Sequence, residues 1–133
     1  MDANAVGHEY PDAFGNVRLA VQTAVSLSAT GDITTLVAQA ATKYIVRRIV
    51  LSNFSGNASG ANVGVFTAAS GGGTTIAADQ ALSAATGTTK FDDLTLASAA
   101  NTDVQTARVL YVNCSVNAAV TSDVALYGDI VSL

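Results

Sequence analysis

One cysteine (Cys114), one histidine (His8), one proline (Pro11) and no tryptophan in 133 residues exclude several classes of protein before any pattern is read. A lone cysteine cannot form an internal disulfide framework. One histidine and one cysteine cannot supply the common zinc ligand sets. A serine triad would have His8 as its sole base, and the sequence holds no nucleophile elbow. Lys and Arg number 6 against 10 Asp and Glu, a formal net charge of −4, with an isoelectric point near 4.5. Arg47 and Arg48 are the only basic cluster, so the basic face that phosphate neutralisation needs is missing and no nucleic-acid partner is expected. Mean hydropathy is +0.39, yet no stretch approaches the ~18 uninterrupted apolar residues of a membrane-spanning helix, so no membrane partner is expected. Residues 1 to 10 carry neither a basic start nor an apolar run. The chain is therefore expected to lack a secretory signal and to be a soluble product made in the cytoplasm.

What the chain has in quantity is small apolar side chains. Half of its residues are apolar, only 12% are charged and 6% aromatic, and the apolar share is mostly Ala and Val. A chain of this length is one domain in size and can bury about two-thirds of the surface its unfolded form exposes. Small side chains pack thin, closely spaced layers. The Ala, Gly, Ser and Thr left outside give a surface poor in charge, which suits burial against other protein and predicts a homo-oligomer.

The stretch from Lys43 to Phe54, Lys-Tyr-Ile-Val-Arg-Arg-Ile-Val-Leu-Ser-Asn-Phe, concentrates β-branched and aromatic residues and reads as a central strand. Strict alternation puts Ile45, Ile49 and Leu51 on one face and Tyr44, Val46, Val50 and Phe54 on the other, so both faces need cover. It also sends Arg47 and Arg48 to opposite faces. Each then needs a rim, a carboxylate or a subunit contact. Before it, Val17, Leu19, Val21, Val25 and Leu27 alternate with polar and small residues as a half-buried strand with Leu19, Val21 and Val25 inward. Further strands are expected at 33–38, 62–68, 74–78, 90–97, 107–117 and 124–133. Within them Leu110, Val112, Cys114 and Val116 are core-facing, and Asp79 to Ala85 is a helical turn or an irregular crossing. About eight strands with frequent turns and no helix predict an all-β fold, an antiparallel β-sandwich of jelly-roll or immunoglobulin-like type spanning residues 17–133. Residues 1–16 show no period and form an irregular N-terminal arm, either frayed or ordered by lying on a neighbour.

The remaining chemical motifs read as structural. Asp92 and Asp93 resemble an acid/base pair, but neighbours on a strand face opposite ways, so they suit a solvated strand start or the arginines. The glycines at 71 to 73 precede Thr74-Thr75 rather than Gly-Lys-Ser/Thr and make a turn, not a phosphate cradle. No Asp-x-Asp-x-Asp-Gly loop is present for calcium. Cys114, between Asn113 and Ser115 in a strand-like run, is expected as an inert buried thiol. Carbohydrate binding usually relies on aromatic platforms, and here Tyr and Phe fall mostly within strands. No enzyme activity, metal or cofactor is expected.

Four runs carry a family resemblance: Lys43-Tyr-Ile-Val-Arg-Arg-Ile49, Val65-Phe-Thr-Ala-Ala-Ser-Gly-Gly-Gly73, Lys90-Phe-Asp-Asp-Leu-Thr-Leu96 and Val124-Ala-Leu-Tyr-Gly-Asp129. Together, over roughly residues 17 to 131, the chain resembles small head-structural proteins of tailed bacteriophages and prophages. The resemblance implies a non-enzymatic decoration or cement protein on the outer surface of a phage head, partnered by the major capsid protein and often trimeric at a three-fold axis. The alternatives are a tail or head-fibre module and, from another class, a glycan-binding adhesin domain. Interface residues are expected at His8, Tyr10 and Phe14, the aromatic cluster of the arm, and at Arg47 and Arg48.

Overall fold

The computed structural model describes residues 17–38, 41–98, 100 and 102–132. They form eight strands: β1 (Val17–Ser26), β2 (Gly31–Val37), β3 (Lys43–Ser52), β4 (Asn62–Ala68), β5 (Gly72–Ala81), β6 (Asp92–Asp93), β7 (Val109–Val116) and β8 (Thr121–Ser132). One sheet has the order β1-β8-β3-β6 and the other β2-β7-β4-β5. Strand 1 pairs with 8, 2 with 7, 3 with 6 and 4 with 5, all antiparallel, as in one long hairpin. Rolling that hairpin brings β8 beside β3 and β7 beside β4, which makes the expected sandwich a jelly roll rather than an immunoglobulin-like one.

The core lies between the sheets and is mainly aliphatic: Leu36, Ile49, Leu51, Val63, Val65, Ile76, Leu110, Val112 and Leu126 are all fully buried. Among the described residues, Tyr44 and Phe54 are its large aromatics. The Tyr44 hydroxyl donates to the Ala107 carbonyl, and Tyr44 and Gln105 exchange backbone hydrogen bonds. One core side chain thus pins the long β6–β7 connection. At the β4–β5 corner, Ala69–Gly71 form a single 3-10 turn. Gly73 there has φ of 69°, and a Cβ would strike the Thr67 hydroxyl, so only glycine fits.

Strict alternation fails in β3, and the failure decides where its arginines go. Tyr44, Val46, Ile49 and Leu51 are the buried residues of the strand, so the inward phase switches between 46 and 49. The register with β8 slips at the same place, Val46 opposing Gly128 and Arg48 opposing Tyr127, which is a β-bulge. Arg47 and Arg48 therefore share the outer face instead of opposing ones, and Ile45 and Val50, both half-buried, lie beside them. Only one face of β3 enters the core. The bulge depends on Gly128, where a Cβ would overlap the Ile45 carbonyl oxygen and crowd the Leu19 side chain.

Other expectations are corrected in the same way. In β1, register slips between Arg18 and Ala20 and between Gln22 and Val25 keep Leu19 and Val25 buried but turn Val21 outward, 37% exposed. The strand expected at 74–78 is ten residues long and takes in residues 79–81 of the segment expected as a helical turn or irregular crossing at 79–85. Of the strand expected at 90–97, only Asp92 and Asp93 pair with β3. In β7, Leu110, Val112 and Cys114 are buried as expected, but Val116 is exposed where the strand leaves the sandwich.

Two stability measurements check this account. Gly128→Ala is expected to cost at least ~3 kcal/mol, since the clash is with backbone, whereas Val21→Asp costs about 1 kcal/mol or less on an outer face. Similar urea midpoints for the two variants would show that the bulge is misplaced. Burial also pushes the Tyr44 phenol up to about 12, against roughly 10 in the unfolded chain. The folded state then holds a proton that the unfolded state has lost. Stability is full below the unfolded value and falls by about 1.4 kcal/mol per pH unit up to the folded one. Tyr44→Phe should flatten that alkaline limb; an unchanged slope would clear Tyr44 of responsibility.

Candidate functional site

Strand register builds two rows across the outer face of the β1-β8-β3-β6 sheet. Arg18 opposes Tyr127, which opposes Arg48. Beside them, Val21 opposes Ala125, Ala125 opposes Val50, and Val50 opposes Asp93. Arg18, Arg48 and Val21 are exposed, and Tyr127, Ala125 and Val50 are half-buried. An Arg-Tyr-Arg row thus lies against a row of small apolar residues.

The two β3 arginines differ in their surroundings. Arg47 Nε donates to Asp129 at 2.7 Å, and the Asp129 side chain is only 8% exposed. Arg48 Nε donates to both Asp93 oxygens at 2.8 Å, with 50% and 44% of the two side chains exposed. The hydrogen bond to Asp93 raises the Arg48 pKa, against a smaller opposing effect of burial and with the Asp93 charge adding to the rise. The Arg48 guanidinium also lies over the Phe91 ring, 5.8 Å from its centre.

Phe91 opens onto a cleft of about 740 Å³, lined among others by Gln80, Thr86, Lys90 and Thr95. Its walls are β5 and the 82–91 connection, which buried Leu82 and Ala85 anchor to the core. The Leu82 amide donates to the Ala61 carbonyl, and the Ala58 amide to the Ala85 carbonyl. The buried Asp92 carboxylate accepts the Ala84 amide at 2.9 Å, tying the end of the connection back to its beginning. Gln80 spans the open edge between the sheets, its amide nitrogen donating to the Thr95 carbonyl and its oxygen accepting the Thr95 amide. The cleft therefore has a fixed frame.

Of the residues expected at an interface, Arg47 and Arg48 come together on one face, and both pair with aspartates as the sequence allowed. His8, Tyr10 and Phe14 lie outside the described residues. Asp92 and Asp93 point apart as expected, one inward to the connection and one to Arg48. Cys114 is buried, and burial, with the nearby Asp79 charge, pushes its thiol pKa up. Among the described residues, no three His, Cys, Asp or Glu side chains gather as a metal site. No helix among them is long and apolar enough to cross a membrane.

Sequence reasoning missed Phe91, Tyr127 and the cleft. Phe91 passed for a strand residue, although Thr86-Gly-Thr-Thr89 just before it is a run of turn formers. No protein-family model, curated protein or solved structure matches the chain.

The neighbouring aspartates give a clean contrast. Asp92→Ala removes a buried carboxylate that holds a backbone amide and is expected to cost about 1.5–3 kcal/mol, whereas Asp93→Ala breaks an exposed ion pair and costs about 1 kcal/mol or less. Urea denaturation of both variants measures the difference. A larger loss at Asp93 would reverse the roles assigned here.

Proposed function

We propose that this chain is a non-enzymatic virion protein, a decoration or cement protein that binds the major capsid protein on the outer surface of a phage head and stabilises the shell. It does so as a homo-oligomer, a trimer in the simplest arrangement. The observation that carries this reading is the outer face of the first sheet, where Arg18, Tyr127 and Arg48 line up beside Val21, Ala125 and Val50. Interface energy concentrates in a few Tyr, Trp and Arg residues set among small apolar contacts, and this face offers that mixture on a rigid sheet.

Three of the four runs that carry the resemblance to phage head proteins, those at 43–49, 90–96 and 124–129, meet in this one sheet as β3, the β6 region and β8. A jelly roll also suits the role, being an architecture used in viral capsids. A head-fibre or tail module would share these features and differ in copy number. Mass spectrometry of purified particles separates them: a decoration protein is present in proportion to the major capsid protein, a fibre or tail protein in a handful of copies.

Paired substitution tests the face itself. Tyr127→Ala with Arg48→Ala is expected to lower occupancy on particles sharply, since truncating an interface anchor typically costs ~2 kcal/mol or more, while the isolated protein stays folded. Deleting residues 2 to 14 in the same assay tests His8, Tyr10 and Phe14. Full occupancy of the double variant together with loss on deletion would move the contact from the sheet to the arm.

A further inference from the structure

We propose that the cleft between β5 and the 82–91 connection is a binding subsite for one pyranose ring of a neutral glycan, stacked on the free face of Phe91. The inference is independent of the virion reading, because it concerns the isolated domain.

Three observations carry it. Phe91 is 53% exposed, whereas Phe66, Tyr111 and Tyr127 are half-buried and Tyr44 and Phe54 are buried, so among the described aromatics it is the exposed one. The Arg48 guanidinium lies over one side of its ring, and Phe91 lines the cleft. Arg48, tied to Asp93 by two hydrogen bonds, also limits the ring's movement. The result is a braced aromatic platform rather than a loose side chain.

The lining selects the ligand. Ser83, Thr86, Thr89 and Thr95 bring hydroxyl-bearing side chains to the cleft. The charged groups at or beside it are Arg48 and Lys90 against Asp92 and Asp93, which balance. An ionic ligand gains nothing from a balanced set, and a wholly apolar one would strip water from the hydroxyls without replacing it. A pyranose answers both features, with a face of C–H groups for the ring and an edge of hydroxyls for the threonines and serine. The cleft, at about 740 Å³, falls within the usual range for small-ligand sites of roughly 300–1,000 Å³. Its frame is built before any ligand arrives, because Gln80 is fixed by Thr95 and Asp92 by Ala84. Ordering cost on binding is correspondingly low.

The test is titration of the full-length, ¹⁵N-labelled protein with the methyl glycosides of glucose, galactose, mannose and N-acetylglucosamine, followed by amide correlation spectra into the millimolar range that a single stacking contact supports. At least one glycoside should shift the amides of Thr86, Lys90, Phe91 and Thr95 saturably. Phe91→Ala should weaken that binding by about tenfold or more with an unchanged melting temperature, and Phe91→Tyr should retain it. If Phe91→Ala does not fold, Phe91→Leu, which keeps apolar bulk without a π face, should show the same loss. No response to any of the four glycosides, or equal binding by the Ala or Leu variant, would overturn the proposal. So would the same amides moving on concentration of the protein alone, which would assign the cleft to a second copy, or moving only with a peptide.

Discussion

The approach of the β3 backbone to Gly128 is the constraint on which the rest of the sheet depends. Without a bulge, Arg48 would fall on the same face as Tyr44 and Val46, between two sheets packed with aliphatic side chains. A charge buried there without a partner costs several kcal/mol, a large part of the roughly 5–15 kcal/mol that holds a domain together. The bulge takes Arg48 out of the core and brings Ile49 and Leu51 in. It also carries the Ile45 carbonyl to a place that any side chain at 128 would fill. One glycine on β8 thus sets which residues of β3 become core and which become surface.

That rearrangement was legible in part. The stretch 43–54 holds two apolar sets of opposite phase, Tyr44 with Val46 and Ile49 with Leu51, and the arginine pair sits where they meet. Alternation applied across the whole stretch yields two apolar faces. A phase switch at the charged pair yields one, and the cost of burying an arginine favours the second. In β1 no such marker exists: Val21 turns outward because β1 slips against β8, and slips arise from pairing between distant segments rather than from local composition. In β7 alternation sufficed through Leu110, Val112 and Cys114, all fully buried, and failed at Val116, past the slip against β4 between Asn62 and Val63.

The cleft was harder to see, for a different reason. Its walls come from β5 and the connection that follows, and what holds them is a set of polar side chains replacing missing backbone partners. Gln80 stands in for a strand neighbour of Thr95, and Asp92 receives the Ala84 amide. A glutamine in an edge strand and an aspartate beside another aspartate carry no local sign of such bonds, since most polar side chains at these positions are solvated. Phe91 was misjudged as a strand residue because its neighbours Leu94 and Leu96 alternate, whereas the backbone pairs only at 92 and 93.

The contrast between the two arginines connects the face to the cleft. Arg47 is partly covered and held against a nearly covered carboxylate, so breaking that pair costs more than breaking one in water. Arg48 and Asp93 are each about half exposed, and a pair in water contributes about 0–1 kcal/mol. The pair of Arg48 and Asp93 therefore adds little to stability, and what places Arg48 on the outer face is the bulge in its backbone. The position of Arg48 between Tyr127 on the sheet and Phe91 at the cleft makes it the side chain common to both surfaces.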